Sequence, residues 1–410
     1  MIALDAWIEA RRSDAIAGLL RCISSQQTKM RTGFKQTIVP LRGSVVASAV
    51  IASYDPDPDY FFHWYRDSAL IMDALRLVRH EVDQARQLLA DFVSFSLDLA
   101  MLDGRDVPAG WQTRAEPDFQ RFLRGDIAHA HGDAIPAETR VNPDGTLDIT
   151  DWPRPQHDGP ALRALTLMRW GIESGAEKRL LTGDLRFLLA HARNPCFDIW
   201  EEEMGHHYYT MQVCETALRM GGDWLLPHDP DLATRCLAEA QVLAHALGNF
   251  WSPGHGFIRS RELPQGRSAK ELDIAVILAA NHAAAPPDAH LTATLDRLAD
   301  LFRGSYVINR GVTDGPAMGR YAGDTYYSGG AYYFATFGAA EYCYRAGDRG
   351  RGDAFLETAR RFAPDDGLLP EQFDQNSGAP ASARDLGWSH AAFLSCVAAR
   401  QSSRGMDSAK

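Results

Sequence analysis

Two groups of carboxylates carry chemical potential in this chain: Glu201, Glu202 and Glu203 directly after Trp200, and Glu371 on a distant segment. One protonated and one ionised carboxyl, held apart, can break an acetal linkage. The first protonates the departing oxygen while the second activates water or attacks the anomeric carbon. Three adjacent glutamates beside an indole are expected to raise the pKa of at least one of them, as a general acid requires. The same run also reads as a favourable charge cluster near a helix start.

These glutamates lie in two of five segments that mix aromatic and charged residues: 54–67 (YDPDPDYFFHWYRD), 151–158 (DWPRPQHD), 197–208 (FDIWEEEMGHHY), 319–330 (GRYAGDTYYSGG) and 369–388 (LPEQFDQNSGAPASARDLGW). Trp64, Trp152, Trp200 and Trp388 offer flat apolar faces, while Arg66, Asp67, Arg320 and Asp324 offer directional donors and acceptors. That mixture suits a sugar ring, with its CH faces and hydroxyl edges. Any single tryptophan at such a junction could equally be a core plug.

Each segment immediately precedes an apolar stretch with helical spacing. Such stretches run through 4–22, 68–79, 84–102, 160–172, 178–192, 209–220, 232–249, 269–282, 291–302, 331–345, 353–362 and 386–400. Leu162, Leu165, Met168 and Ile172, for example, share one helical stripe,. Sustained strand alternation is nearly absent. The expected class is all-α, and about a dozen helices without a Pro/Gly/Ser linker suit an (α/α)6 barrel, a closed ring of six hairpins. If alternate helices run the same way, the five segments emerge at one mouth and converge on one pocket. Residues 1–400 are read as one catalytic domain and 401–410 as a fraying polar tail.

Composition narrows the partners. The 410 residues carry 42 Lys+Arg against 53 Asp+Glu, a net charge of −11, with no basic run. Nucleic acid and anionic membrane surfaces are therefore not expected partners. No apolar stretch approaches about 20 residues. The opening residues lack a basic segment followed by an apolar one, and the six cysteines show no CxxC spacing, so a cytoplasmic location is expected. His129, His131 and Asp133 read as a solvated loop rather than a metal site. No GxSxG, P-loop or GxGxxG motif occurs, and no metal or cofactor is expected.

Six ordered blocks along nearly the whole chain resemble the glucoamylases of glycoside hydrolase family 15: LDAWI from Leu4, PDYFFHWYRDSAL, GTLDITDWPRPQHDGPALR, FDIWEEEMGHHYYT, GRYAGDTYYSGG and PEQFDQNSGAPASARDLGWSHAA. The resemblance implies an (α/α)6 barrel and an inverting exo-hydrolase that releases β-glucose from non-reducing ends of α-glucans or oligosaccharides. By the same likeness Glu201 is the general acid and Glu371 the base that activates water. Tyr60 and Ser382 hold that base and its water. Arg66 and Asp67 clamp the terminal glucose, with Arg320 completing the grip. Trp64, Trp152, Trp200 and Trp388 form the walls, and Glu202 contacts the next sugar. In an inverting enzyme the two carboxyls stand about 6.5–9.5 Å apart, leaving space for water.

Gly323, Phe62, His206 and His207 depart from the fungal pattern, the histidines being expected to alter the lining beyond the first sugar. An α-1,4 linkage is favoured, with α-1,6 as the other candidate. Two rivals are a non-catalytic sugar-binding or regulatory scaffold of the same shape, and a uronate lyase on an (α/α)6 barrel. Retention of both glutamates disfavours the scaffold, and the acidic balance disfavours the lyase.

Overall fold

The computed structural model describes residues 3–52 and 57–407, so Tyr54, Asp55 and Pro56 of the first segment lie outside it. Its α-helices are α1 Leu4–Cys22, α2 Tyr65–Leu77, α3 Ala85–Leu99, α4 Asp158–Trp170, α5 Gly175–His191, α6 Tyr208–Leu225, α7 Pro230–Leu247, α8 Ala275–His282, α9 Ala289–Ser305, α10 Tyr333–Arg345, α11 Arg349–Phe362 and α12 Gly387–Asp407.

Their ends follow local chemistry. Ser174 and Glu177 form a reciprocal capping box on α5, and the carboxylates of Asp229, Asp288 and Asp348 accept backbone N–H groups at the starts of α7, α9 and α11,. Gly171 takes φ 84° and ends α4 before Ile172, which therefore falls outside the stripe expected from spacing,.

The even-numbered helices pack on one another in chain order, α2 on α4 through to α10 on α12, and α12 closes the ring against α2. The odd-numbered helices lie outside them. Burial matches this division: α10 is buried on nearly every face, whereas α11 buries only Gly352, Phe355, Leu356, Thr358 and Ala359,. This is the (α/α)6 barrel. Its inner helices share one direction, so their N-termini, and the loops entering them, gather at one end. The strands are short pairings between those loops, the longest being Met204–His207.

Two elements differ from the sequence reading. Helix α8 starts at Ala275, not near 269, because Asp273 accepts the backbone N–H of Ala275 and the charged residues before it form a sixth loop at the mouth. Helix α12 continues through Asp407, past the tail expected from 401 onward, with 408–410 outside the described residues. Arg349 donates to the Arg400 carbonyl at 3.1 Å and the Ser403 hydroxyl at 3.2 Å, fixing that turn where elongation of an existing helix costs little,. Among the described residues no helix is long and apolar enough to cross a membrane. All six cysteines are buried and unpaired.

Candidate active site

The mouth of the barrel holds a cavity of about 290 Å³ lined by Tyr60, Trp64, Arg66 and Asp67 from the first segment and the first turn of α2, Trp152 and Pro153 from the second, Ile199 to Glu202 from the third, Arg320 and Tyr326 from the fourth, and Glu371, Leu386 and Trp388 from the fifth and the first turn of α12. All five segments converge as topology required. Phe334, near the start of α10, completes the floor, its ring stacked on Trp388 with centroids 4.1 Å apart.

The third loop is a tight turn built on Asp198. Its carboxylate accepts the backbone N–H groups of Trp200 at 3.1 Å and Glu202 at 2.9 Å, and its carbonyl accepts that of Glu201. Glu201 sits in the left-handed region at φ 66°. Strain of this kind, at a residue without glycine's freedom, persists only where surroundings over-determine it. The turn splays the three glutamates. Glu201 accepts from Trp64 Nε1 at 2.8 Å, Arg66 Nη2 at 2.9 Å and Trp152 Nε1. Glu202 accepts from Lys270 at 2.6 Å, Arg320 at 3.0 Å and Tyr321. Glu203 turns to Arg261 and Ser268, whose contacts outweigh partial burial and hold its carboxyl below the usual range. The expected mutual crowding is therefore absent, because each carboxylate has its own cationic partner.

Glu371, on the opposite loop, has a strongly raised carboxyl. Burial pushes it up to about 7, against hydrogen bonding from Ser382 and the more distant charge of Arg320,. The Tyr60 hydroxyl lies 3.4 Å from both its oxygens and 2.7 Å from that of Tyr326, and Ser382, itself at φ 63°, donates to Oε2.

Arg66 reaches Gln156 at 3.2 Å and Asp158 at 3.4 Å, besides Glu201, and its Nε lies 3.5 Å from Asp67. Burial raises Asp67 to about 6 despite Arg66. Trp200, Phe334 and Trp388 form a stacked floor, with Trp200 Nε1 donating to Asp273 at 2.8 Å. Trp64 and Trp152 meet edge to face at 6.1 Å, backed by the buried Arg140, whose guanidinium carbon lies 3.5 Å from the Trp152 ring centroid.

Some sequence expectations are corrected. Asp324 does not line the cavity: both its oxygens are taken by Arg320, at 2.7 and 2.6 Å, with Tyr332 and the Tyr326 N–H, so it positions Arg320. Ser382, expected to hold the base, donates to Glu371 and does not itself line the cavity. None of Gly323, Phe62, His206 and His207 lines the cavity. Phe62 is covered by Arg31 and Arg140, His206 bonds the Arg193 carbonyl and His207 that of Cys196. His191 contacts Asp133 at 3.6 Å, and no group of three metal-ligating side chains occurs among the described residues.

The sequence reading missed the loop entering α8, although a ring of six inner helices requires a sixth. Its Arg261 is buried and bridges Asp198 at 2.8 Å, Glu203 at 2.7 Å and Asp273, tying the glutamate turn to the wall. Arg261→Ala leaves two buried carboxylates without their cation and is expected to destabilise the protein by about 3–5 kcal/mol. Chemical denaturation checks this, a loss under 1 kcal/mol being the contrary result.

Set against known proteins, the chain matches the profile described as glycosyl hydrolases family 15 over residues 31–352 and 349–398. Glucoamylase-1 of Schizophyllum commune is 28% identical across 97% of this chain and 74% of its own. The probable glucoamylase of Schizosaccharomyces pombe is 26% identical across 98% and 93%. Among solved structures, Hormoconis resinae glucoamylase superposes with a TM-score of 0.78 at 26% identity, covering 98% of this chain and 74% of that one. Saccharomycopsis fibuligera glucoamylase has the same fold, with a TM-score of 0.78 at 21% identity.

Proposed function

The chain belongs to the glycosyl hydrolases of family 15, and from that premise we propose that it is an exo-acting hydrolase that removes single glucose units, with inversion, from the non-reducing ends of α-glucans or oligosaccharides. One observation carries the reading: two glutamates on separate loops face one small cavity walled by indoles, each held by different partners.

Glu201 acts as the acid. Oε1 already accepts from both Trp64 and Arg66, whereas Oε2 accepts only from Trp152, so Oε2 has the lone pair that can carry the proton,. Glu371 acts as the base, its oxygens presented by Ser382 and the Tyr60–Tyr326 hydroxyl pair to the water that attacks the far face of the ring,. Trp200 and Trp388 supply the apolar platform for the terminal sugar, and Arg66 and Asp67 its polar grip,. Glu202, with Arg320 and Lys270, stands beside it for the next unit. An α-1,4 bond is the favoured linkage, and soluble glucans are the partner.

The base must be ionised. With Glu371 raised to about 7, the ionised fraction grows as pH rises, so the acid limb of kcat/KM is expected to climb toward pH 7, displaced above the ordinary glutamate midpoint of about 4.3,. A profile flat from pH 5 to 8 would contradict it. The activity itself is tested by digesting maltotriose and isomaltotriose separately. Glucose plus the matching disaccharide should be the only early products, and α-1,4 cleavage the faster. No glucose from either would refute the reading.

A further inference from the structure

A second cavity, of about 330 Å³, lies within the ring on the other side of the aromatic floor. Phe334 and Trp388 border both cavities, so their stacked pair is a wall between them. The second space runs along α2, α4, α8, α10 and α12 toward their C-terminal ends. It has the size of a small-molecule site, about 300–1,000 Å³, and slightly exceeds the space that the proposed reading gives to one glucosyl unit.

Its lining is polar in a specific way. Arg76 and Arg169 each donate to Asp73 at 2.8 Å, and Arg169 also to the His282 carbonyl. Arg345 donates to the carbonyls of Ala280 and Ala285 at 2.8 and 2.6 Å. Asp73 and the main-chain carbonyls thus take most of the donors of Arg169 and Arg345 and the Nε of Arg76, so an anion would have to compete with them, while three arginines beside two carboxylates disfavour a cation,. Three groups facing the cavity have no hydrogen-bond partner among the described residues: the Glu341 carboxyl, the Ser395 hydroxyl, and Nε2 of His282, whose Nδ1 pairs with Tyr209 at 2.7 Å. Burial raises Glu341 to about 7, so near neutrality it can both donate and accept,. Neutral donors and acceptors around an aromatic wall and the apolar faces of Leu70, Leu162 and Leu278 match a hydroxyl-rich neutral ring,.

We propose that this axial cavity is a second, non-catalytic binding site for a monosaccharide, and that the released glucose occupies it. The choice of glucose rests on the catalytic reading above; the preference for a neutral polyol does not. Because Trp388 borders both spaces, occupancy is read by its fluorescence even when the catalytic pocket is closed to glucose.

The test is calorimetric titration of D-glucose into the intact enzyme with the catalytic pocket saturated by a basic iminosugar. A glucose-binding event is expected to remain, to disappear in Ser395→Trp, which fills the cavity, and to weaken at least tenfold in Glu341→Ala. Where Ser395→Trp does not fold, Glu341→Ala alone decides. Loss of all glucose binding under the iminosugar, or binding unchanged in both variants, overturns the proposal. If the iminosugar does not bind, the catalytic reading fails separately, and the axial site is judged by whether the variants remove glucose binding from the unblocked enzyme.

Discussion

Glu371→Gln is expected to lower kcat by about 100- to 10,000-fold, the range general-base catalysis supplies, while leaving substrate affinity within a few fold. The amide keeps the shape of the carboxyl and can still bond Ser382 and Tyr60, so the pocket walls are preserved. What it cannot do is take a proton from water. The separation of the two constants is the informative part: a group that acts only as the reaction proceeds changes kcat and kcat/KM together. Single-turnover assays combined with equilibrium binding of maltotriose measure both. Near-normal kcat in this variant would remove Glu371 from the base's role. The residual activity should also lose the acid limb that Glu371 imposes on the pH profile.

Glu201→Gln is expected to be as damaging on oligosaccharides, about 100- to 10,000-fold, but much less so on α-glucosyl fluoride, whose leaving group needs no proton. Part of the loss has another origin. Both carboxylate oxygens of Glu201 accept from donors, so a glutamine necessarily turns its NH2 toward Trp152, or toward Trp64 and Arg66,. Glu201→Asp, which keeps the charge but shortens the reach, separates the two effects. Equal losses on fluoride and oligosaccharide would mean that Glu201 shapes the pocket without donating a proton.

Much of this architecture is legible in the chain. Helical spacing delivers the class, and the rule that loops entering parallel inner helices share one end places Trp64, Trp152, Trp200, Glu371 and Trp388 together. The single likeness that carries most weight is the ordered set of blocks around those residues. What stays hidden is whatever depends on side-chain direction. Adjacent glutamates look crowded in a sequence, yet the left-handed turn at Glu201 sends them to Arg66, Lys270 and Arg261, while burial raises the carboxyl of the distant Glu371. Asp324 has the composition of a sugar ligand, but its two oxygens are spent on Arg320.

The loop before α8 was obscured for a different reason. Its apolar and charged residues fit a helical stripe from 269 onward, and only the turn in which Asp273 accepts the Ala275 N–H shows where the helix begins. Arg140 could not be recognised either, since its value lies in contact with Trp152 and with Trp64, distant in the chain, over a buried Asp148 held down at about 2 by Arg140 and Arg154 in spite of its burial. Pairing of this sort inside an irregular loop leaves no periodic trace.

The central claim is that Glu201 and Glu371 act from opposite sides of one bond, with water between the ring and the base. Proton NMR of a fresh digest of mixed maltotriose and isomaltotriose tests it directly, because the anomeric signals of the first glucose released appear before mutarotation blurs them. The account predicts β-glucose first, with the α-1,4 signal falling faster than the α-1,6. Initial α-glucose would contradict the inverting arrangement outright.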